Sequence, residues 1–581
     1  MIRSTTILAV AISLLLNCAP VFAADEIHVA LNGKDDNNGS AAAPVASLKR
    51  ARELARKAGQ ATVIVHEGTW FLPETLVFTA EDSGCTWRAA EGKTVILSGG
   101  RRIGGWVQKE NGFWSAPVPG AKEWYFRELF VDGKRAVRAR FPNPSADPPV
   151  LRGCAYKKAG NEQVTLTVDP KHLGNWTSLN DVEIVVNINW ASFHKRIQSI
   201  DRGTGECTMM PPHATYSGRN APTSKRYFWF ENALEMLDEP GEWYLDRLQE
   251  TVFYRSREGE DLGKAEVIAP KLEHVILIKG SAEAPVRNLS LHGLIFSHNF
   301  YSLPDVGYHG RQASFYYDAS SGKGFQDKVN GIPAMVQCQC AQNLSIIGCT
   351  VTHGGSNGIE LQAGSRGAVI EGNRVHDIAG NGIGIGSKSE ENVIPEKNRI
   401  ANNYVHDCGA VFLGACGIWV GLARETVIAH NLVMDLPYTG ISVGWDWSET
   451  KTLARDNIIE WNHVHEVMKE VSDGGGIYLL GFQPGSIIRQ NHIHRVLRSK
   501  YAHISANHGI YFDAGGSGFL VQENLLYEID KNDFYRVKVA AEKLKFENNI
   551  TIKGPDQEKT ALPEVRAKAG LEDKWKKLQE K

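Results

Sequence analysis

Between Asn343 and Ile550 the apolar and polar positions repeat one phrase: an apolar pair, Asn, a short turn and then Gly-Ile-x-apolar. The phrase consists of short β-branched runs broken by Gly, Asn and Asp, and amphipathic helices are not evident. A repeat of this length indicates stacked units, none of which buries its apolar face alone. The pattern predicts a right-handed parallel β-helix with coils about 4.8 Å apart. The repeated position is occupied by Asn373, Asn403, Asn431, Asn462, Asn491, Asn524 and Asn549.

Strand alternation sorts each Gly-Ile-x-apolar segment by face. The Ile and the apolar residue point into the core, and the residue between them points outward. The outward row is Glu360, Gly384, Trp419, Ser442, Tyr478 and Tyr511, and the next outward row is Gln362, Gly386, Gly421, Gly444, Leu480 and Asp513. Aromatic rings beside glycines predict a groove that stacks against a sugar ring. The alternative is that an inserted domain or the 301–331 loop covers this face. A groove and a cover are compatible if the cover forms one wall of the groove.

The segments on either side of the repeat have different patterns. Residues 24–101 predict an N-terminal cap, with a helix over 47–57, followed by the first coils. Residues 102–270 alternate plainly and are broken by charged turns, which predicts an inserted antiparallel β-sandwich-like domain. The main β-helix then covers 271–555, and a charged, helix-prone segment, 556–581, is predicted to cap the other end. The fold class is therefore all-β, with short capping helices at both ends.

Composition and the N-terminus restrict the location and partners of the protein. Residues 1–23 have the charged start, apolar core and small-residue cleavage site of a signal peptide, which predicts a periplasmic or secreted protein. A net charge of −2 gives no electrostatic reason to expect nucleic acid. No later run is apolar for long enough to insert into a membrane. The eight remaining cysteines lack metal-site spacing and are interpreted as buried small hydrophobic residues, with one disulfide left open.

Two aspartates lie beside the aromatic positions. Asp473 precedes a triple glycine, and Asp513 ends the corresponding segment of the next coil. Glycosidic cleavage generally uses two carboxyl groups, one as acid and one as base or nucleophile. In strict register the two would be too far apart, because Asp473 lies three residues before Gly476 and Asp513 four after Gly509. Either the triple glycine bulges and carries Asp473 inward, or one of the two is not catalytic.

Further side chains near this pair are candidates for substrate contact, and no metal site is predicted. These candidates are Trp419, Trp445, Asp446, Tyr478, Tyr511, Glu360, His503 and His508. A second column of titratable residues follows the repeated Asn by three positions: His376, His406, His465 and His494. Because a site needs only one copy, this column is interpreted as a stacked structural ladder.

Several motifs resemble glycoside hydrolase family 141. They are Glu81-Asp-Ser-Gly84, the segments 129–140 and 237–245, and the Asp-Gly-Gly-Gly-Ile-Tyr and Gly-Ile-Tyr-Phe-Asp pair. The resemblance extends from about Ile27 to Leu578, and the β-xylosidases of family 120 are the nearest alternative. It implies activity on α-L-fucosides of pectic side chains or on xylan. It also implies a catalytic pair of aspartates, which Asp473 and Asp513 match by context and spacing, and it favours the bulge.

Three functions remain open at this stage, and each has an oligosaccharide or polysaccharide as partner. The first is an exported glycoside hydrolase that uses the aspartate pair and no cofactor. The second is a polysaccharide lyase, which would usually require Ca²⁺ or a set of Arg, Lys and His. The outward rows contain no Lys or Arg, although loops could supply them. The third is a carbohydrate-binding protein without catalysis. Fold does not select among sugars.

Overall fold

The chain forms a parallel β-helix of three long sheets that carries an inserted antiparallel region. The computed structural model describes residues 25–159, 163–211, 226–318, 329–386, 388, 393–502, 505–537, 539–552 and 561–580. The signal peptide predicted over 1–23 lies outside these ranges. Each coil contributes one strand in turn to sheet I, sheet II and sheet III, and neighbouring strands of a sheet belong to successive coils.

The strands of the three sheets are short. Sheet I contains Asp25–Val29, Ala61–Val65, Thr86–Ala89, Ser290–His292, Ser345–Ile347, Val369–Glu371, Arg399–Ala401, Val427–Ala429, Ile458–Glu460, Phe482–Arg489, Ser517–Gln522 and Lys545–Glu547. Sheet II contains Gly68–Phe71, Val95–Ser98, Ile295–Ser297, Thr350–Thr352, Arg374–Ile378, Tyr404–Cys408, Leu432–Met434, His463–Val467, His492–Val496, Leu525–Ile529 and Ile550–Thr551. Sheet III contains Leu76–Phe78, Ile276–Lys279, Ala334–Gln339, Asn357–Leu361, Ile383–Ile385, Ile418–Val420, Ile441–Val443, Gly475–Leu479, His508–Phe512 and Asn532–Arg536.

The Gly-Ile-x-apolar segments form sheet III in the register that alternation predicts. The isoleucines of successive coils pair from Ile359 through Ile383 to Ile510, and all are fully buried. The glycine before each Ile is required by close packing. A Cβ atom at Gly440 would lie 2.4 Å from Cγ1 of Val464, a separation that real Cβ atoms do not adopt.

The repeated asparagines form a hydrogen-bonded ladder in the turns between sheets I and II. Asn431 Oδ1 accepts hydrogen bonds from the backbone N and Nδ2 of Asn403, both at 3.0 Å. Asn431 Nδ2 donates to the Ile400 carbonyl at 3.0 Å and to Asn462 Oδ1 at 2.9 Å. Every polar atom of this fully buried side chain therefore has a partner from a neighbouring coil.

The histidine column is a structural stack, as predicted. The rings of His376 and His406 lie 5.0 Å apart at an interplanar angle of 4°. Those of His465 and His494 lie 4.9 Å apart, also at 4°. The repetition therefore reflects the stacking of coils along sheet II.

The helices lie at the positions where the sequence predicts them, with one difference in packing. Leu48–Ala58 begins at the N-cap Ser47, whose Oγ accepts from Arg50 N at 3.1 Å, and ends at Gly59. The C-terminal helix Pro563–Lys568 packs on the last coils and is followed by the 3₁₀ helix Asp573–Gln579. This segment then runs back along the turns between sheets I and II as far as Gly372, so it also covers one side of the β-helix. The other short 3₁₀ helices are Ala80–Asp82, Glu110–Gly112, Pro170–His172, Leu179–Asp181, Leu234–Met236, Gln312–Ser314 and Ala541–Lys543.

Residues between Gly100 and Pro270 form three mainly antiparallel sheets with hydrophobic clusters of their own. The largest contains Arg140–Phe141, Leu151–Arg152, Ala155–Ala159, Gln163–Thr167, Glu183–Asn187, Ser192–Asp201, Glu206–Met209 and Tyr227–Glu231, joined by Tyr308–His309. The second contains Val107–Gln108, Phe113–Pro117, Val137–Arg138, Glu242–Asp246 and Thr251–Arg255, and the third Gly100–Arg102, Phe130–Val131, Lys134–Arg135 and Val267–Pro270. Two-stranded pairs complete the described strands: Val286–Arg287 with Ala341–Gln342, and Phe315–Tyr317 with Val329–Gly331.

The outward face of sheet III is largely covered, which is the alternative that the sequence left open beside a groove. The segment after Tyr301, for which the sequence shows no strand signal, forms short strands and packs on this face. The Phe315 ring lies 5.0 Å from that of Trp419 and 4.5 Å from that of Trp445. Trp419 is consequently only 2% exposed, and Tyr478, which packs with Leu480 and Tyr511, is 1% exposed. Residues 319–328 of the predicted loop lie outside the described ranges.

All eight cysteines after the predicted cleavage site are free, and only Cys340 is more than marginally exposed. They act as small apolar residues, and the disulfide that the sequence left open is not formed. Among the described residues, no helix has the length and apolar character needed to cross a bilayer.

Candidate active site

The two candidate aspartates lie at opposite ends of neighbouring strands of sheet III. Asp473 precedes Gly475–Leu479, and Asp513 directly follows His508–Phe512. These strands pair without a register shift, so the predicted bulge at the triple glycine is wrong. The chain instead turns at Asp473 itself, which has a left-handed backbone with φ of 67°. The turn changes the direction of the side chain without disturbing the ladder.

Both aspartates nevertheless line one cavity of about 240 Å³. The remaining lining comes from three separate parts of the chain. Trp190 lies at the tip of an inserted-domain hairpin, Arg311 and Gln312 belong to the covering segment, and Trp445 and Trp447 follow a strand of sheet III. The cavity therefore combines two carboxyl groups, one guanidinium and three indole rings.

Two tyrosines fix the aspartates in a crossed arrangement. The Tyr478 hydroxyl donates to Asp513 Oδ2, and the Tyr511 hydroxyl donates to Asp473 Oδ1 at 3.2 Å. The two rings lie 5.0 Å apart at 83°. Burial, together with the nearby carboxylates, raises the pKa of Tyr478 and of Tyr511 well above the usual range, so both hydroxyls remain donors. Each hydrogen bond fixes the orientation of the carboxyl group that accepts it.

The backbone around Asp473 is held from two sides. The Tyr438 hydroxyl donates to the Asp473 carbonyl at 3.0 Å and accepts from Gln312 Nε2 at 2.9 Å. Ser472 donates through its backbone N, at 2.8 Å, and through its Oγ, at 3.1 Å, to the carbonyl of Asn189 in the inserted domain. The position of Asp473 therefore depends on both the covering segment and the inserted domain.

The predicted tryptophan and tyrosine contacts differ in their positions relative to the cavity. Trp445 lines the cavity, as the prediction of a substrate contact requires. Trp419 does not reach it, because Phe315 and Trp445 pack on its ring. Tyr478 and Tyr511 lie beneath the cavity and contact the aspartates, so the two tyrosines support the carboxyl groups and do not form a sugar-stacking surface.

The predicted polar contacts lie outside the cavity lining. Asp446 accepts hydrogen bonds from Ser448 Oγ at 3.1 and 3.2 Å and is absent from the lining formed by the described residues. Glu360 lies on a coil four strands away from Tyr478 in sheet III, or about 19 Å at ordinary strand spacing. It accepts instead from Asn357 Nδ2 at 3.2 Å and Gln362 Nε2 at 3.1 Å, and burial raises its pKa.

Of the two candidate histidines, His508 belongs to a described strand of sheet III. His508 lies behind Tyr511, with ring centroids 5.0 Å apart, and stacks on Tyr535 at 4.0 Å. Burial lowers the pKa of His508 to about 4, so the ring is neutral near neutral pH. His508 thus contacts Tyr511, the tyrosine that donates to Asp473. His503 lies outside the described residues.

Sequence reasoning did not find Trp190, Arg311 or Gln312. The sequence indicates the 301–331 loop only as a cover of the sheet face, and this segment supplies Arg311 and Gln312. Arg311 is mostly buried, which lowers its pKa, and its guanidinium lies 5.1 Å from the centroid of the Tyr317 ring. Nothing in the sequence marks Trp190, because its approach to the site depends on how the inserted domain docks.

Comparisons with known proteins agree with this architecture. A family model described as "Right handed beta helix region" matches residues 334–526, and one described as "GH141 insertion domain" matches 111–257. A solved structure described as a glycoside hydrolase has a TM-score of 0.83 and 27% identity, covering 95% of this chain and 100% of that chain. No curated protein sequence matches the chain.

More distant structures have similarities too low to bear on function. A complex of XylC with xylose has a TM-score of 0.49 and 15% identity, covering 91% of this chain and 76% of that chain. Pectate lyase Pel9A has a TM-score of 0.31 and 13% identity, covering 49% and 64%.

The fold and the matches define a class of protein: a right-handed parallel β-helix with an inserted β domain, of the kind found in carbohydrate-active enzymes. Within that class, the insertion-domain match and the structure at a TM-score of 0.83 confirm the resemblance to glycoside hydrolase family 141. The same two findings support glycoside hydrolase activity for this chain.

Proposed function

We propose that the protein hydrolyses fucoside- or xyloside-type linkages of plant or algal glycans, with Asp473 and Asp513 as its carboxyl pair. The observation that carries the proposal is the shared cavity, in which both aspartates face three tryptophans. One carboxyl group would protonate the leaving oxygen, and the other would act as base or nucleophile. Indole faces provide rigid contact area for a sugar ring.

The size of the cavity indicates cleavage at a chain end. Its volume of about 240 Å³ is below the range of roughly 300–1,000 Å³ that is usual for pockets that hold drug-sized ligands. Such a space suits a single sugar ring better than a continuous polysaccharide. We therefore infer that a terminal sugar enters, and that the rest of the glycan stays outside the walls formed by Trp190 and the covering segment.

The proposed hydrolysis requires no cofactor, and its only required partner is a carbohydrate. We also propose that the protein is exported to the periplasm or beyond the cell, on the strength of the signal-peptide pattern in residues 1–23. An extracytoplasmic location would give the enzyme access to polymeric glycans.

A polysaccharide lyase is the second candidate, and one observation favours it. Arg311 of the covering segment lines the cavity, so a loop supplies the cation that the outward rows lack. A guanidinium binds the carboxylate of a uronate well. A lyase would also require a base that abstracts the proton beside that carboxylate and would usually require Ca²⁺. The paired aspartates, each with a tyrosine donor, fit hydrolysis better.

The two candidates differ in their products. Purified protein is incubated with fucosylated, xylan-derived and pectic oligosaccharides in isotope-labelled water, and the products are analysed by mass spectrometry. Hydrolysis incorporates label into the released reducing end, and EDTA leaves the rate unchanged. Unlabelled products that absorb as unsaturated uronides, with activity abolished by EDTA, would establish the lyase instead.

A further inference from the structure

A second, larger cavity lies between the inserted domain and the turns that join sheet II to sheet III. It has a volume of about 720 Å³, and we call it the interdomain cleft. One wall includes Arg140 and Trp229 of the inserted domain, and the other includes Ala410 and Glu470 of the turns. Because Ala410 and Glu470 are exposed, the cleft opens to solvent.

The interdomain cleft adjoins the catalytic cavity along two separate segments. Asn187 lines the cleft, and Trp190, three residues later, lines the cavity. Glu470 lines the cleft, and Asp473, again three residues later, lines the cavity. Three residues extend over at most about 10 Å. A short oligosaccharide can span that distance, but Ser472 and Asn189 are hydrogen-bonded to each other between the two spaces, so a ligand that occupies both passes around this contact.

The wall of the cleft contains a buried group whose hydrogen-bonding capacity is not used within the protein. Glu128 is 2% exposed, and its Oε2 has no hydrogen-bond partner among the described residues. Buried polar atoms in native proteins normally have a partner, so this one requires an explanation. Burial raises the pKa of Glu128 and favours the protonated carboxyl, which both donates and accepts hydrogen bonds. The Oε2 atom has almost no accessible surface, so a sugar hydroxyl reaches this carboxyl only if a neighbouring group moves.

The charges of the cleft are largely neutralised by one another. Arg138 pairs with Glu231 at 2.8 Å, and Lys469 pairs with Asp435 at 3.0 Å. Arg140 donates to two backbone carbonyls, and its guanidinium lies 4.5 Å from the centroid of the Trp229 ring. The walls thus present many fixed donors and acceptors without a net positive field. This composition suits a ligand rich in hydroxyl groups and without charge.

We propose that the interdomain cleft binds an uncharged oligosaccharide segment on the leaving-group side of the scissile bond. The inference rests on the proposed function, since it treats the catalytic cavity as the site of the terminal sugar. It adds the position and the chemical class of the part of the glycan that remains outside.

Binding without turnover tests this proposal. The Asp473→Asn, Asp513→Asn double variant is titrated calorimetrically with xylohexaose, a fucosylated xyloglucan nonasaccharide and hexagalacturonate. Ala410→Trp, made in that background, fills the cleft, and Glu470→Ala provides a second variant if the first does not fold. We expect at least one neutral probe to bind, with affinity lowered about tenfold or more by Ala410→Trp, equivalent to about 1.4 kcal/mol.

Ala42→Trp, in an exposed turn of the N-terminal region, is the matched control and leaves affinity unchanged. The proposal is overturned if neither neutral probe binds, if Ala410→Trp and Glu470→Ala bind as well as the parent, or if only hexagalacturonate uses the cleft. The proposed function is read separately, from hydrolysis of nitrophenyl α-L-fucoside and β-xyloside by the wild-type protein. Hydrolysis of these small substrates without binding of the neutral probes would reject the cleft alone.

Discussion

At the scale of single residues, the site depends on two buried hydroxyl groups that hold two carboxyl groups. Tyr478 and Tyr511 belong to the same outward column, yet each donates to the aspartate that adjoins the neighbouring strand. Asp513 also accepts from the backbone N of Ala514 at 2.8 Å. Such donors fix the orientation of a carboxyl group and favour its ionised form.

Removal of one hydroxyl should therefore change both the rate and its pH dependence. Tyr478→Phe deletes the donor to Asp513 and leaves the ring in place. We expect kcat to fall about tenfold to hundredfold. A hydrogen bond donated to a carboxylate favours its charged form, so loss of the donor moves the acidic limb of the pH–rate profile to higher pH if the acceptor is the base or nucleophile.

Tyr535→Phe provides the control for this measurement. Tyr535 occupies the next position of the same column but is 37% exposed, and its ring stacks on His508. Its rate and profile should match those of the wild type. An unchanged profile in Tyr478→Phe would show that Tyr478 has only a packing role.

At the scale of elements, the asparagine ladder connects successive coils within the protein interior. The ladder stabilises the fold because it gives hydrogen-bond partners to polar groups that would otherwise be buried without them. Asn431→Ala removes the acceptor for the backbone N of Asn403 and leaves it unsatisfied in a fully buried turn. We expect the free energy of unfolding to fall by about 2–4 kcal/mol.

The end of the ladder offers a matched comparison. Asn549 accepts from Asn524, but no further coil of the ladder lies beyond it, and it is partly exposed. Asn549→Ala should lower the free energy of unfolding by about half as much as Asn431→Ala, or less. Equal losses in the two variants, measured by thermal or denaturant unfolding, would contradict the buried-partner argument.

The sequence predicted these elements because their causes are local or periodic. The helix after Ser47, the Gly-Ile columns and the asparagine positions each follow from spacing that stacking requires. The bulge at the triple glycine was wrong because spacing alone does not reveal a left-handed residue. The left-handed φ of Asp473 changes the direction of the chain. A bulge, which inserts one residue, is therefore not needed to redirect the side chain.

At the scale of the whole molecule, the site is complete only where three distant parts of the chain meet. Periodicity shows which residues of sheet III face outward, but it does not show what covers them. For this reason Trp419 was predicted in the site and lies in the core, whereas Trp190 was not predicted and lines the cavity. The docking of the inserted domain is a tertiary effect that leaves no local pattern.

Buried histidines predict how stability depends on pH. Burial lowers the pKa of His376 to about 3, and that of His492 and of His508 to about 4, from about 6.5 in the unfolded chain. Between these values the unfolded state binds more protons than the native state. Stability is therefore full above pH 6.5 and is lost as pH falls toward 4.

Thermal unfolding between about pH 7.5 and about pH 5 measures this effect. We expect the midpoint to fall by about 5 °C or more on acidification. Burial raises the pKa of Glu242 to about 7 and also raises that of Glu128, Glu360 and Glu470, and these glutamates act in the opposite sense. The histidines whose pKa burial lowers are more numerous. The His492→Asn variant should show a smaller fall, and a midpoint that rises on acidification would contradict the account.

The central claim is that Asp473 and Asp513 perform the chemistry, and one comparison of activities tests it most directly. Asp473→Asn and Asp513→Asn are each assayed on the oligosaccharide that the wild type cleaves fastest, with Asp446→Asn as a control outside the cavity lining. The account predicts that kcat falls about 1,000-fold or more in each cavity variant, with unchanged unfolding midpoints, and stays within about tenfold in the control. Wild-type activity in either cavity variant would contradict it.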